Sequence, residues 1–222
     1  MNILGSQYRT ILREATDEII IEKSRFIAYA KPVESEEEAI AFIASIKKKH
    51  KDATHNVPAY LIGEQNEIQR YNDDGEPSGT AGVPILEMMK KEDLKNLVVV
   101  VTRYFGGIKL GTGGLVRAYT KAAKMAIDAS QIIFKSKLTQ LIFRVDYNLL
   151  GKIEYEIEKN NFIIYSKSYM DYVEIVLLVE DESITEIVGQ YENWIQNKAD
   201  YSVGETELFN VIDGKVIYNE EA

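Results

Sequence analysis

Five glycines fall within nine residues, Gly106, Gly107, Gly111, Gly113 and Gly114, with Lys109 among them and a helix pattern directly behind. Removing Cβ lets a backbone turn sharply or lets a ligand come close, and a helix start adds free N–H groups and a positive dipole end. Phosphate or carboxylate would be stabilised there. The spacing is not that of a nucleotide fingerprint, however: in the Walker A register from Gly106 the lysine position after Gly111 is Thr112, and no GxGxxG register closes. The alternative reading is tight packing between a strand and the following helix.

Behind the glycines, Arg117, Lys121 and Lys124 recur at i, i+4 and i+7, opposite Leu115, Ala118, Ala122, Met125 and Ala126. Such a stripe is either a solvated helix face or, extended by Lys109 and Arg103, a set of phosphate contacts. Upstream, Asp73, Asp74 and Glu76 crowd one loop beside Pro77. Three carboxylates so placed could bind Mg²⁺, exchange protons or pair with Arg103; the simpler reading is an Asx-type turn with a structural ion pair. Of the two histidines, His50 lies in a lysine run and is expected to be solvated. His55 opens a strand, where a hydrogen-bonded structural role is expected. One histidine without cysteine does not make a zinc site, and no GxSxG supports a serine hydrolase. No metal or cofactor is expected.

Periodicity locates the strands and helices that carry these groups. Ile19–Ile21 leading into Ser24–Ala30 predicts an opening strand that stops at Pro32. Ser35 followed by Glu36, Glu37 and Glu38 predicts a capped helix running to Lys47–Lys49. Paired strands are predicted at 56–62 and 67–71, then a loop at 73–82 and a short helix at 83–91. The segment Asn96–Thr102, with its unbroken β-branched run, reads as a strand buried on both faces and central in its sheet. After Ser136 a second pattern follows: strand 138–147, helix 148–159, strands 161–170 and 172–180, helix 181–197 and strand 200–211. That βαββαβ order predicts a ferredoxin-like sandwich. The fold class is therefore a two-domain α/β (α+β) protein, with domains at residues 1–137 and 138–222.

Composition limits the function classes. With 45% hydrophobic and 27% charged residues, the 222-residue chain is of globular type and can bury a core. The absence of cysteine excludes disulfides, a thiol nucleophile and thiolate metal sites, and fits a reducing cytoplasm. No membrane segment is expected, because the longest clean aliphatic run is Leu97–Val101, and the opening MNILGSQYRT lacks the pattern of a secretory leader. The net charge of −9 argues against a nucleic-acid partner only as an average. Residues 1–137 carry 20 basic and 18 acidic groups, net +2, whereas 138–222 carry 6 and 17, net −11. Leu94–Ile127 holds six cations and no acid.

Taken together, DDGEPSGTAGVPILEMM and NLVVVVTRYFGGIKLGTGGLVRAY resemble the signature of the IMPACT family, whose bacterial branch includes the YigZ-type proteins. The segment ATHNVPAY resembles it too, with Val57 where cysteine is common, so a reactive thiol has no counterpart here. The resemblance covers both domains and lacks the RWD domain of eukaryotic members. It implies a first domain similar to the ribosomal-protein and elongation factor G domain IV type, and a second similar to that factor's domain V. It also implies translation as the setting: eukaryotic members compete for an activator of an initiation-factor kinase, and bacterial ones are suspected of binding RNA or ribosomes. The family motif falls on Asp74, Glu76, Pro77, Gly79, Arg103, Phe105, Gly106, Gly107, Lys109, Gly111, Gly114, Arg117 and Tyr119.

The favoured reading is a non-enzymatic binding protein of translation or its regulation. It would contact RNA or the ribosome through Arg103, Gly106, Gly107, Lys109, Gly111, Gly113, Gly114, Arg117, Lys121 and Lys124. The alternatives are an enzyme on a phosphorylated or carboxylated small molecule, using His55, Asp74, Glu76 and Arg103, and a regulator that binds a protein partner.

Overall fold

In a computed structural model that describes residues 7–217, the chain forms two compact units, Tyr8–Ile133 and the part from Phe134 onward. Residues 1–6, on which the leader reading partly rests, lie outside the described residues. The units part between Ile133 and Phe134, within a strand that continues through Lys137, so no linker marks the division. Among the described residues no helix is long and apolar enough to cross a membrane.

The first unit contains β1 (Gln7–Ile11), β2 (Ala15–Ile21), β3 (Ser24–Pro32), α1 (Glu36–Lys49), β4 (His55–Ile62), β5 (Ile68–Tyr71), α2 (Gly82–Lys91), β6 (Leu97–Tyr104) and α3 (Gly111–Ala129). Its five-stranded sheet is antiparallel throughout, in the order β2-β3-β6-β4-β5. The central β6 explains its unbroken apolar run. Leu97, Val99 and Val101 pack in the core shared with α2 and α3, while Val98 and Val100 meet Phe42 and Ile46 of α1 on the opposite face. Ser35 caps α1 as the sequence predicts, its Oγ accepting the Glu38 N–H at 3.2 Å.

The opening strand differs from expectation. It is a hairpin whose register pairs Ile21 with Ser24, so Glu22 and Lys23 alone make the turn, at φ +46° and +62°. Two-residue turns of this kind normally announce themselves with Asn or Gly, and neither is present.

The second unit begins in β7 (Ile132–Val145) and continues through α4 (Leu150–Lys159), β8 (Ile163–Tyr169), β9 (Val173–Val179), α5 (Ile184–Ile195), β10 (Tyr201–Ile212) and β11 (Lys215–Ile217). The order β10-β7-β9-β8 is the 4-1-3-2 arrangement of the ferredoxin-like sandwich. Ile153, Ile157, Ile187 and Tyr191 cover the sheet face built by Phe143, Ile175 and Leu177.

His50 corrects the expectation of a solvated side chain. It is buried, with Nε2 at 2.7 Å from the Tyr29 hydroxyl and Nδ1 at 2.9 Å from that of Tyr104. Of its lysine neighbours, Lys49 lies over the ring of the same Tyr29, with Nζ 4.8 Å from the ring centroid. Burial, helped by the charges of Lys49 and Arg25, holds its pKa below the ordinary value of 6.5. The unfolded chain therefore takes up this proton first, and the stability linked to it is lost as pH falls through about 6.5. Urea unfolding at about pH 7.5 and 5.5 should show a drop in stability that shrinks in His50→Gln.

Candidate functional site

The residues singled out by sequence converge on a buried ion pair at the end of β6. Arg103 Nη1 lies 2.5 Å from Glu76 Oε1, with both side chains almost fully buried. The Tyr119 hydroxyl, from α3, donates to the same oxygen at 2.7 Å. Arg103 Nη2 donates to Ser24 Oγ at 3.3 Å, and that oxygen also accepts the Gly106 N–H at 3.2 Å. The guanidinium carbon lies 5.3 Å from the Phe26 ring centroid and 5.4 Å from that of Phe105, and Phe26 meets Tyr119 edge-on at 5.3 Å. Burial, reinforced by the Glu76 charge, raises the Tyr119 pKa far above the ordinary phenol value, so it remains a neutral donor. Three segments are thereby tied at one carboxylate, and β3 joins them through Ser24 on Arg103.

The loop carboxylates are similarly committed. Asp73 caps α2 from a distance: Oδ1 accepts the N–H groups of Gly82 at 2.8 Å and Ala81 at 3.2 Å, and Oδ2 that of Gly79 at 2.8 Å. Asp74 takes Lys47 Nζ on Oδ1 and the Asn56 N–H on Oδ2, each at 2.7 Å. His55 donates from Nδ1 to the Asp74 carbonyl at 2.7 Å, which leaves Nε2 3.8 Å from Glu76 Oε1. His55, Asp74, Glu76 and Arg103 are thus brought together, but as a network that holds the fold. Asp74 is paired with Lys47 and the Asn56 amide, and Glu76 with Arg103 and Tyr119; among the described residues no group of acids and histidines could hold a metal ion.

The glycine segment divides by cause. A Cβ on Gly106 would sit 2.0 Å from the backbone of Lys23, so the β2–β3 turn itself demands glycine there. Gly107 and Gly111 adopt φ of +84° and +67°, and Gly114 packs on Leu110. Only Gly113 has neither a positive φ nor a neighbour. Leu110 supplies no side-chain acceptor to the start of α3.

Two clefts flank this start. One, of about 450 Å³, is lined by His55, Glu76, Arg103, Phe105, Lys109 and Gly111 among others. The second, of about 540 Å³, gathers Lys109, Arg117 and Lys121 around Gly114, with Glu22 as an acid at its edge. These three cations are exposed and have no ion-pair partner among the described residues. Lys124 differs, pairing with Asp128 at 2.5 Å and reaching Glu92 at 3.9 Å. The stripe therefore presents Arg117 and Lys121 freely and Lys124 in pairs.

Ser24 carries no signal in the sequence, Asp73 stands there only as one of three loop carboxylates, and Tyr119 only as a position of the family motif. Tyr119 left a signal, because it falls on the apolar face with Leu115, Ala118 and Ala122, where a hydroxyl needs a partner.

The chain matches the model of the Impact N-terminal domain over residues 22–127 and that of a domain of unknown function, DUF1949, over 143–198. It is 44% identical over 219 residues to IMPACT family member YvyE of Bacillus subtilis, covering 97% of this chain and 94% of that protein. It is 32% identical to IMPACT family member YigZ of Escherichia coli, covering 86% and 91%. A crystal structure of a hypothetical protein matches 95% of this chain and all of its own, with a TM-score of 0.58 at 28% identity.

Removing one member of a buried ion pair strands the other charge, at a cost of about 3–5 kcal/mol. Arg103→Met should lose about that much in urea unfolding. Adding Glu76→Gln removes the stranded charge while keeping an acceptor for Tyr119, and should restore much of the loss. A double variant no more stable than the single one would deny the pair this role.

Proposed function

The chain belongs to the IMPACT family, and from that premise we propose that it is a non-enzymatic, cytoplasmic binding protein of translation or its regulation. It engages RNA or the ribosome through the basic glycine-rich segment. The observation that carries this reading is the gathering of Lys109, Arg117 and Lys121, unpaired, around one cleft at the start of α3. Cations already spent on internal carboxylates gain little from a phosphate, whereas unpaired ones release counterions from a polyanion. The uncapped helix start adds its dipole to the same field. Phe105, 46% exposed beside Lys109, offers a base a stacking surface. Translation as the setting is supported by the family resemblance, whose eukaryotic members regulate it. The net charge of −11 behind residue 137 opposes the same polyanion and keeps the expected affinity modest.

Three contacts to single-stranded RNA imply a slope of log K against log salt near about −2, at roughly −0.7 per contact. Co-sedimentation with ribosomes, and titration of a single-stranded oligonucleotide, should both weaken along a salt series. Reversing Lys109, Arg117 and Lys121 to Glu together should abolish the binding and its salt dependence. Binding that ignores salt, or that survives the triple reversal, refutes the reading.

A further inference from the structure

Arg117 and Lys121 also border a different feature, a groove of about 920 Å³ between α2 and α3. Its floor is apolar, built by Val83, Pro84 and Met88 from α2 and by Val116 and Met125 from α3, all half-buried. The outward side of two helices already packed on a sheet is normally polar. Around this floor the charges are not balanced. Glu87 is held by Lys90 at 2.9 Å, and Glu92 by Arg9 at 3.8 Å and Lys124 at 3.9 Å. Lys91, Arg117 and Lys121 have no ion-pair partner among the described residues. The groove therefore offers an apolar trough whose uncompensated charge is positive.

We infer that this groove docks an acidic amphipathic helix of a protein partner, its apolar face on the floor and its carboxylates against Lys91, Arg117 and Lys121. RNA suits the groove poorly, because its lining contains no aromatic ring on which a base could stack. A helix suits it well. The 10 residues of α2 make a wall about 15 Å long, which accommodates apolar anchors at i, i+3, i+4 and i+7. Met88 and Met125 adapt their shape to such anchors at little cost. This surface shares Arg117 and Lys121 with the polyanion cleft but is distinguished from it by Lys109, which lines only the cleft, and by Lys91, which lines only the groove.

The test uses the full chain with methyl-labelled methionine, whose five methionines include Met88 and Met125 in the groove and the fully buried Met89 beneath it. The probe is a synthetic peptide of about 14 residues, with leucine at i, i+3, i+4 and i+7 and glutamate elsewhere; its control carries lysine in place of glutamate. The glutamate peptide should shift the Met88 and Met125 signals, and the lysine peptide should not. Lys91→Glu with Lys121→Glu should weaken the glutamate peptide about tenfold or more. Val116→Asp should do the same while the Met89 signal stays in place, reporting an intact core. Lys109→Glu should leave peptide affinity unchanged while weakening RNA, which separates this inference from the polyanion reading. The inference fails if both peptides act alike, if neither moves the two signals, or if single-stranded RNA moves them instead.

Discussion

A guanidinium and a carboxylate taken out of water at the end of a central strand constrain everything around them. Arg103 and Glu76 are each almost fully buried, and neither charge is tolerable without the other. Glu76 therefore cannot leave, and with it the loop from Asp73 to Gly82 is fixed against the sheet. Tyr119 reads the same oxygen from α3, so the helix is held at the same point. Ser24 completes the arrangement by joining Arg103 to the Gly106 amide, which sets where the chain departs from β6. The glycine segment starts from a rigid origin.

That constraint sorts the charges of the first unit into two populations. Lys47, Arg103 and Lys124 are spent on internal carboxylates. Lys109, Arg117 and Lys121 are not, and they stand together beyond the rigid origin. A net charge summed over the chain averages across both populations and across both domains, so it reports solubility better than it reports partners. The local count of unpaired cations is the quantity that decides where an anionic surface can settle.

The sequence made the large elements legible because their signals are collective. Six of the eight residues of β6, Leu97 to Thr102, and the whole βαββαβ order declare themselves by composition and spacing. Single contacts did not. The Glu22–Lys23 turn is imposed by strand register and by Gly106 beneath it, against the usual preference of both residues. His50 looks solvated among lysines, yet its burial depends on two tyrosines 21 and 54 positions away. Asp73 caps a helix that starts nine residues later, through a loop whose path nothing local specifies. The pairing of Arg103 with Glu76 is one option among several in the sequence, since spacing alone cannot tell a catalytic carboxylate from a structural one.

The glycines carry the last lesson. A run of five invites a ligand, because glycine is where a phosphate can approach a backbone. Four of them are accounted for by the molecule itself: one by the hairpin turn pressed against it, two by backbone angles that side chains resist, one by contact with Leu110. A family signature dense in glycine can therefore mark a difficult piece of chain rather than a binding loop. Gly113 alone faces open space without a conformational reason. Specificity must then come from the side chains the glycine segment positions. Those are three unpaired cations, Lys109 just before α3 and Arg117 and Lys121 on it, and an apolar groove between α2 and α3, two surfaces of different chemistry sharing Arg117 and Lys121 at their common edge.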